Sequence, residues 1–588
     1  MARATASFEA PNSAVRDSDP EKNISCATDT EPNYNQDDTE KSDSSTPEGV
    51  KQVEAVTKTW TRKTLWVTFV LIWFLSFVID MLSSVQDALS PYVTSYFSKH
   101  GLLANLNIPS RIIGGVVLLP VSKIIDLRGR TEGFIGSIFL IVIGMIMKAT
   151  CQNVETYAAA QIFYWVGKAA LGFVLNVFVA DITTLRNRMI ILTLNGTPIL
   201  ITTFAGPEIA QLFYEHSNFR WAFGAWAIIL IGFSVPVIGI LLFQERKAKK
   251  AGIVRQKSGR TLAQSVKYYF VHFDVVGMTL IGAGFILFLL PFSLVSSAKA
   301  GWETPHISVM IVLGVVCLVL FLAWERWWTP IRFFPFEVLN DRTVINAALT
   351  HALMFMTIFI WNAYYSSYIQ VVHGLNIRDS NYALNGLALT SYFTGPFIAL
   401  YIRYTGHVKY PALAAIPIYL LGTALIAYFR TPSTKIGYVV MCQVLIGFGS
   451  GLLTDTSRLA VMAAVQHQDV SLSLVIHSLF TSIGSAVGYA IAGGMWTNIL
   501  PYKLAELLPE DVKSQSWEIY GDITKQLQYP IGHPVRDAVI LAYGDVGRKM
   551  VIVGAALTPL MIITVLFWRN INVKDTEQEE KEARGNVL

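Results

Sequence analysis

Fourteen long apolar segments follow a polar head of about sixty residues, and no water-soluble fold has a place for so many. Each can carry a helix across some 30 Å of hydrocarbon, where backbone amides must be satisfied within their own helix. The mean hydropathy of +0.45 and the 53% of apolar residues suit such a chain. The runs predict spans 1 to 14 near 65–90, 103–124, 133–150, 155–179, 189–213, 222–243, 275–295, 306–325, 343–371, 381–402, 410–429, 436–456, 470–498 and 549–568. The expected fold class is an all-α polytopic membrane protein.

Charge placement sets the orientation. The interior gap 244–273 holds Arg246, Lys247, Lys249, Lys250, Arg255, Lys257, Arg260 and Lys267 against the single acid Glu245, so it is expected in the cytosol. Both termini then share that side, and the segment 499–548 becomes the one large external loop. Residues 1–60 carry twelve acidic and six basic side chains among many Ser and Thr. They read as a disordered cytosolic tail, with span 1 as an uncleaved membrane signal. The expected order is a six-helix half (61–243), the basic linker, two additional spans with their own linker (275–342), a second six-helix half (343–570) and a cytosolic tail (571–588). Matching turns support the two halves: Asp126-Leu-Arg-Gly129-Arg130 after span 2 and Arg403-Tyr-Thr-Gly406-His407 after span 10. Parallel repeats of this kind are a transporter plan that puts the substrate at mid-membrane.

A charged side chain at the bilayer centre costs roughly 2.5 to 3.5 kcal/mol, so each one needs a reason. Asp80 and Asp87 lie two helical turns apart, on one stripe with Trp73. They are candidates for a proton site, as is Glu208 beside the Gly206-Pro207 kink of span 5; pairing with a neighbouring helix is the alternative for each. Lys168 in span 4 is expected either to neutralise an acid or to snorkel. Trp361, Tyr364, Tyr365 and Tyr368 fall at i, i+3, i+4 and i+7, one aromatic face that serves either the interfacial belt or a cavity wall. Trp73, Tyr392, Phe393, His477, Thr481 and Ser485 are further candidates to line such a substrate cavity. A lone His such as His351 or His477 is more often a hydrogen-bonded core residue than a ligand.

There is no P-loop, Gly-x-Ser-x-Gly, HExxH or Cys/His metal spacing, which disfavours ATP-driven transport, hydrolase chemistry and a resident metal. Cys26, Cys151, Cys317 and Cys442 read as isolated thiols. An ion gradient is the remaining energy source, and neither an enzyme activity nor a cofactor is expected.

The Asp126 to Arg130 turn resembles the cytoplasmic signature of the major facilitator superfamily, and Gly206-Pro207 resembles the fifth-helix motif of its fourteen-span members. Ala180-Asp181-Ile-Thr-Thr-Leu-Arg186-Asn187-Arg188, Asp274-Val-Val-Gly277 with Leu290-Pro-Phe-Ser293, and Phe336-Glu-Val-Leu-Asn-Asp-Arg342 resemble the fungal siderophore-iron transporter family, from about residue 60 to 570. Leu508-Pro509, Ile519-Tyr520, Tyr529-Pro530, Arg536-Asp537-Ala538 and Ala542-Tyr543 are similar to that family's long tyrosine-bearing loop. Ser122 and Thr131 depart from the superfamily turn, and Lys168 stands only near the place of its membrane Arg. The resemblance implies import of a ferric siderophore, a hydroxamate chelate, by proton symport in the plasma membrane or endosomal vesicles, by a monomer in the lipid bilayer. Proton-antiport efflux of a drug or toxin is the alternative. It also implies a cytoplasmic gate of Asp126, Gly129, Arg130, Arg186 and Arg188, and a loop in which Tyr520, Tyr529 and Tyr543 either help capture the chelate or pin the loop to the mouth.

Overall fold

The computed structural model describes residues 62–182, 185–250, 261–295, 298, 301–329, 336–465 and 469–574. The expected N-terminal tail, most of the C-terminal tail and the middle of the basic linker lie outside these. Among the described residues the regular structure is helical, apart from one bridge between His407 and Asn572.

Twelve described helices are long and apolar enough to cross a membrane. In the first half they are Lys63–Tyr96, Leu103–Ile125, Arg130–Thr150, Val154–Val179, Ile190–His216 and Phe219–Lys247. Pro305–Trp328 follows, and then Arg342–His373, Lys409–Phe429, Ile436–Ala463, Val470–Leu507 and Pro534–Leu566. Two further helices stand where spans 7 and 10 are expected. Val275–Leu289 is short and runs on into Pro291–Leu294. Ile377–Thr405 is 29 residues long but polar, with Arg378, Asp379, Asn381, Asn385 and Arg403 in its sequence.

Each half packs mainly on itself: span 3 against spans 4 and 6 and span 1 against spans 5 and 6; span 9 against span 13, and span 12 against spans 10 and 11. The halves meet along two seams, span 2 on span 13 and span 5 on span 10. Spans 7 and 8 pack on one another, with Gly314 so close to span 7 that a Cβ there would lie 2.6 Å from the backbone nitrogen of Phe288. The two repeated turns also share geometry: Gly129 has φ +102° and Gly406 φ +80°, conformations that L side chains seldom adopt. That is a physical reason for Gly in both turns.

The large loop is shorter than the hydropathy suggests. Span 13 runs on to Leu507 and span 14 begins at Pro534, so the loop proper is 508–533 rather than 499–548. The first turns of span 14 carry Arg536, Asp537, Asp545, Arg548 and Lys549, which hide a helix from any hydropathy window. Short helices, Ser516–Gly521 and Ile523–Gln528, fold the loop back onto the bundle.

Candidate functional site

The charged groups of the first half converge. Asp80 has Lys168 as its charged neighbour, and Asp87 faces Lys168, Arg111 and Lys148. Asp87 is enclosed by protein on all sides yet its side chain is open to solvent, so it lines an internal space. Lys168 Nζ donates to Ser83 Oγ at 2.5 Å, and that hydroxyl is 2.8 Å from the phenol of Tyr164. Lys148, fully buried, donates to Gln86 Oε1 and lies 4.2 Å over the Tyr164 ring. Arg111 sits 3.9 Å over Trp165 of its own half, and 5.1 and 5.9 Å over Phe359 and Tyr489 of the other. Two carboxylates and three basic side chains thus share one site at the seam of spans 2 and 13.

The second half presents its own group. Tyr392, open to the interior, faces Asp80 across the seam and Asp455 and Arg458 on span 12. Asp455 lies on Gly395 beside Thr193 of the first half, where a Cβ on the glycine would be 3.2 Å from Asp455 Oδ2. Arg458 faces two stacked imidazoles, His351 and His477, whose centroids are 4.4 Å apart. Thr481 bridges them: its Oγ1 is 2.7 Å from His351 Nδ1 and donates to the His477 carbonyl, also at 2.7 Å. Ser485 is buried and donates to the Thr481 carbonyl of its own helix. Arg111, Lys148, Asp455 and Arg458 are absent from the candidates that sequence reasoning selects. Their signal was an ionisable side chain inside or at the end of an apolar run.

Other candidates land elsewhere. Trp73 donates from Nε1 to Thr197 Oγ1 at 2.8 Å and stacks on Phe77, pinning span 1 to span 5. Glu208 pairs with Arg378 at 3.5 Å, both half-exposed. Gly206 faces Ser84 of span 1, and two residues further round the helix Glu208 points away from it towards span 10. Solvent screening weakens so exposed a pair. Phe393 is exposed and has Phe397 of its own helix as ring neighbour.

The aromatic face of span 9 neither meets lipid nor lines an open cavity. Its helix breaks between Asn362 and Tyr365, and Trp361, Tyr364, Tyr365 and Tyr368 are all fully buried. Tyr365 and Tyr368 flank the buried guanidinium of Arg430, at 4.6 and 4.5 Å. Tyr364 stacks on Trp496 at 4.2 Å and donates to the Gly101 carbonyl at 2.8 Å. The i+3, i+4 spacing identified a shared face correctly, but the face is covered by spans 11 and 13.

These contacts belong to a closure at the loop end. The turn His100–Leu102, a knob of the first half, inserts between Tyr364 and Tyr520 of the second, and a Cβ on Gly101 would lie 2.1 Å from the Tyr520 hydroxyl. Ile523 N donates to Ser95 Oγ at 3.2 Å, and Tyr92 donates to Gln370 Oε1. Tyr543, buried, donates to Gln526 Oε1 at 2.7 Å, and Tyr529 packs on His533. Tyr520 and Tyr543 therefore pin the loop, one to each half.

His100 is buried in this knob with the Pro91 backbone as its nearest acceptor, and neither ring nitrogen makes a well-aligned hydrogen bond among the described residues. Burial pushes its pKa down to about 4, against the opposing pull of the Pro91 backbone carbonyl and of Asp522. The neutral ring favours the seated knob fully above the ordinary value of 6.5, and that contribution is lost as pH falls from 6.5 to about 4. The full effect is about 3 kcal/mol. Acidifying the loop side across this range is expected to raise the labelling rate of a thiol placed at the buried Ser95, and His100→Gln is expected to flatten that pH dependence.

Of the expected gate residues, Arg130 donates from Nη1 to the Ile125 carbonyl at 2.8 Å and Gly129 makes the turn. The side chains of Asp126, Arg186 and Arg188 lie outside the described residues. At this end Ser122 and Ser471 join spans 2 and 13 through a hydroxyl pair at 3.0 Å.

The Major Facilitator Superfamily description matches residues 72–489. "MFS siderochrome iron transporter 1" of Ajellomyces capsulatus is 47% identical over 92% of this chain and 94% of its own. "Siderophore iron transporter mirB" of Emericella nidulans is 38% identical over 90% and 88%. Among solved structures, a mutant of the peptide transporter POT in complex with alafosfalin covers 89% of this chain and 99% of its own with a TM-score of 0.54 at 13% identity, a likeness of fold alone. With twelve membrane-length helices, two helical halves and these relatives, the chain is a multi-pass membrane protein that belongs to the fungal siderophore-iron transporter family of the major facilitator superfamily.

Proposed function

We propose that this chain imports ferric hydroxamate siderophores by proton-coupled alternating access, as a monomer in the plasma membrane with both termini in the cytosol. The observation that carries the coupling is Asp87, enclosed between the halves yet open to the interior and ringed by Lys168, Arg111 and Lys148. The substrate follows from the relatives, which are named as siderochrome or siderophore iron transporters. Ferric iron prefers hard oxygen ligands, which a hydroxamate chelate already supplies, so the protein has only to hold the wrapped ion. Aromatic faces from both halves (Trp165, Tyr392, Phe359 and Tyr489) with scattered hydroxyls suit a wide, nearly neutral complex. The knob of residues 100–102 serves as the outer gate and the serine pair of spans 2 and 13 as part of the inner one.

One proton crossing about 100 mV yields about 2.3 kcal/mol and a pH unit adds about 1.4, enough for roughly 500-fold accumulation of a neutral solute. Asp80 and Asp87 are the carboxylates placed to carry it. Cells lacking other carriers are expected to accumulate a radioiron-labelled ferric trihydroxamate and to lose that gradient with a protonophore. Asp87→Asn is expected to remove concentrative uptake while sparing exchange of labelled for unlabelled chelate, and Asp80→Asn to weaken it. Absence of accumulation at normal surface expression contradicts import, and a fall below the level of empty cells identifies efflux instead.

A further inference from the structure

Of the three basic side chains around Asp87, two already have a hydrogen-bond acceptor. Lys168 is bonded to Ser83 and Lys148 to Gln86. Arg111 differs. Its guanidinium lies over the faces of Trp165, Phe359 and Tyr489 and meets the Tyr489 phenol, but Nε, although buried, has no hydrogen-bond partner among the described residues. Trp165 comes from the first half, and Phe359 and Tyr489, themselves stacked at 4.5 Å, come from the second. A planar, donor-only group is thus held on an aromatic shelf at the seam where cargo must pass.

The rim of a ferric trihydroxamate is made of carbonyl and N–O oxygens, all acceptors, around a neutral core. Among the groups facing this space, a donor-only fork is the best complement to such a rim. The charged or titratable groups that face Asp87 are Lys168, Arg111 and Lys148, with the phenols of Tyr157, Tyr164 and Tyr489. Arg111 is the basic member of that ring shown lying over rings of the second half.

We propose that Arg111 reads the cargo and links it to the proton: its guanidinium bonds the oxygen rim of the chelate, turns from Asp87 as it does so, and a proton taken from the aqueous phase by Asp87 replaces it. When the chelate leaves, Arg111 returns to Asp87 and the proton is released. Cargo and proton therefore enter together because each compensates for the other's effect on one carboxylate. This rests on the siderophore reading of function given above.

The test uses the full chain in proteoliposomes with radioiron-labelled ferrichrome, and measures binding, uptake against external pH, and protons moved per chelate. Arg111→Lys keeps the charge and loses the fork; it is expected to bind roughly tenfold more weakly while uptake still depends on pH. Arg111→Gln is expected to bind at least about tenfold more weakly and to show chelate exchange with no proton movement and a flat pH profile. The Ser110→Ala variant, which removes a hydroxyl bonded to the Leu106 carbonyl of its own helix one residue before Arg111, controls for the packing of span 2 and is expected to retain binding and proton movement. An Arg111→Gln protein that moves protons with its cargo as the native chain does overturns the proposal, as does one whose binding is unchanged. If the native chain itself neither binds nor moves ferrichrome or any other ferric hydroxamate, the reading of function fails and the role of Arg111 falls with it, a result recognisable because it appears without any substitution.

Discussion

Gly101→Trp is expected to hold the loop end open: the protein should bind chelate from that side and fail to deliver it. The knob of residues 100–102 fits because position 101 has no side chain. A Cβ there would lie 2.1 Å from the hydroxyl and 2.6 Å from Cζ of Tyr520, while the Gly101 carbonyl is fixed by Tyr364. The end of the Tyr520 ring can tilt, so Gly101→Ala is expected to be mild. An indole has nowhere to go without unseating the knob. Overpacking of this kind costs about 1 to 3 kcal/mol, and each 1.4 kcal/mol is tenfold, so the balance between open and closed forms should shift roughly 10- to 100-fold. Uptake should fall by a similar factor with surface expression and outer-side binding retained. Tyr520→Ala in the same chain makes room and is expected to restore part of the loss, a coupling that a general folding defect would not produce. Native uptake by Gly101→Trp would show that the knob does not have to seat.

What was legible in the sequence is the part governed by transfer free energy. Long apolar runs identify membrane helices, and the asymmetry of Lys and Arg orients them. The polar spans were harder. Ile377–Thr405 spreads Arg378, Asp379 and Asn385 along a helix whose polar side faces span 5, where Asn385 donates to the Thr203 carbonyl at 2.7 Å. Asp80 and Asp87 stood out because a carboxylate in hydrocarbon needs a partner, and the structure supplies Lys168, Arg111 and Lys148. Arg111 carried the same signal within span 2, but its partners are aromatic rings from two halves of the chain, which no local pattern brings together. The aromatic face of span 9 shows the converse limit. Periodicity states which side chains share a face, whereas what covers that face is a tertiary fact: here Arg430 from 62 residues beyond Tyr368, and Trp496. Glu208 looked like a second proton site from sequence because a kink and an acid coincide; its rotation about the helix turns it to Arg378 instead.

Arg536→Ala is expected to free the external loop from the second half. Arg536 is buried and spends its guanidinium on three backbone carbonyls: Val371 at 2.9 Å from Nε, Gln526 at 2.6 Å from Nη1 and Gln370 at 3.1 Å from Nη2. It thereby ties the end of span 9, the loop helix Ile523–Gln528 and span 14 in one knot. Gln526 extends the knot by donating to the Ile519 carbonyl at 2.7 Å and accepting from Tyr543. Removing the guanidinium strands three acceptors and leaves a side-chain-sized void, and losses of this type run to about 3 to 5 kcal/mol. Tyr543→Phe removes a single hydrogen bond and should cost about 1 kcal/mol. Trypsin added from the loop side reads the difference directly, because Lys513 and Lys525 lie in the loop. Where cleavage follows the population of the opened loop, Arg536→Ala should be cut roughly a hundred- to several-thousandfold faster than the native chain and Tyr543→Phe only a few-fold faster. Because Tyr520 and Ile523 reach the first half through this same loop, the Arg536→Ala protein should also lose the seated knob, and the buried thiol at Ser95→Cys should become reactive in it. Equal cleavage of all three proteins would place the anchor of the loop elsewhere, in the apolar packing of Leu508, Ile519 and Ile523, rather than in this arginine.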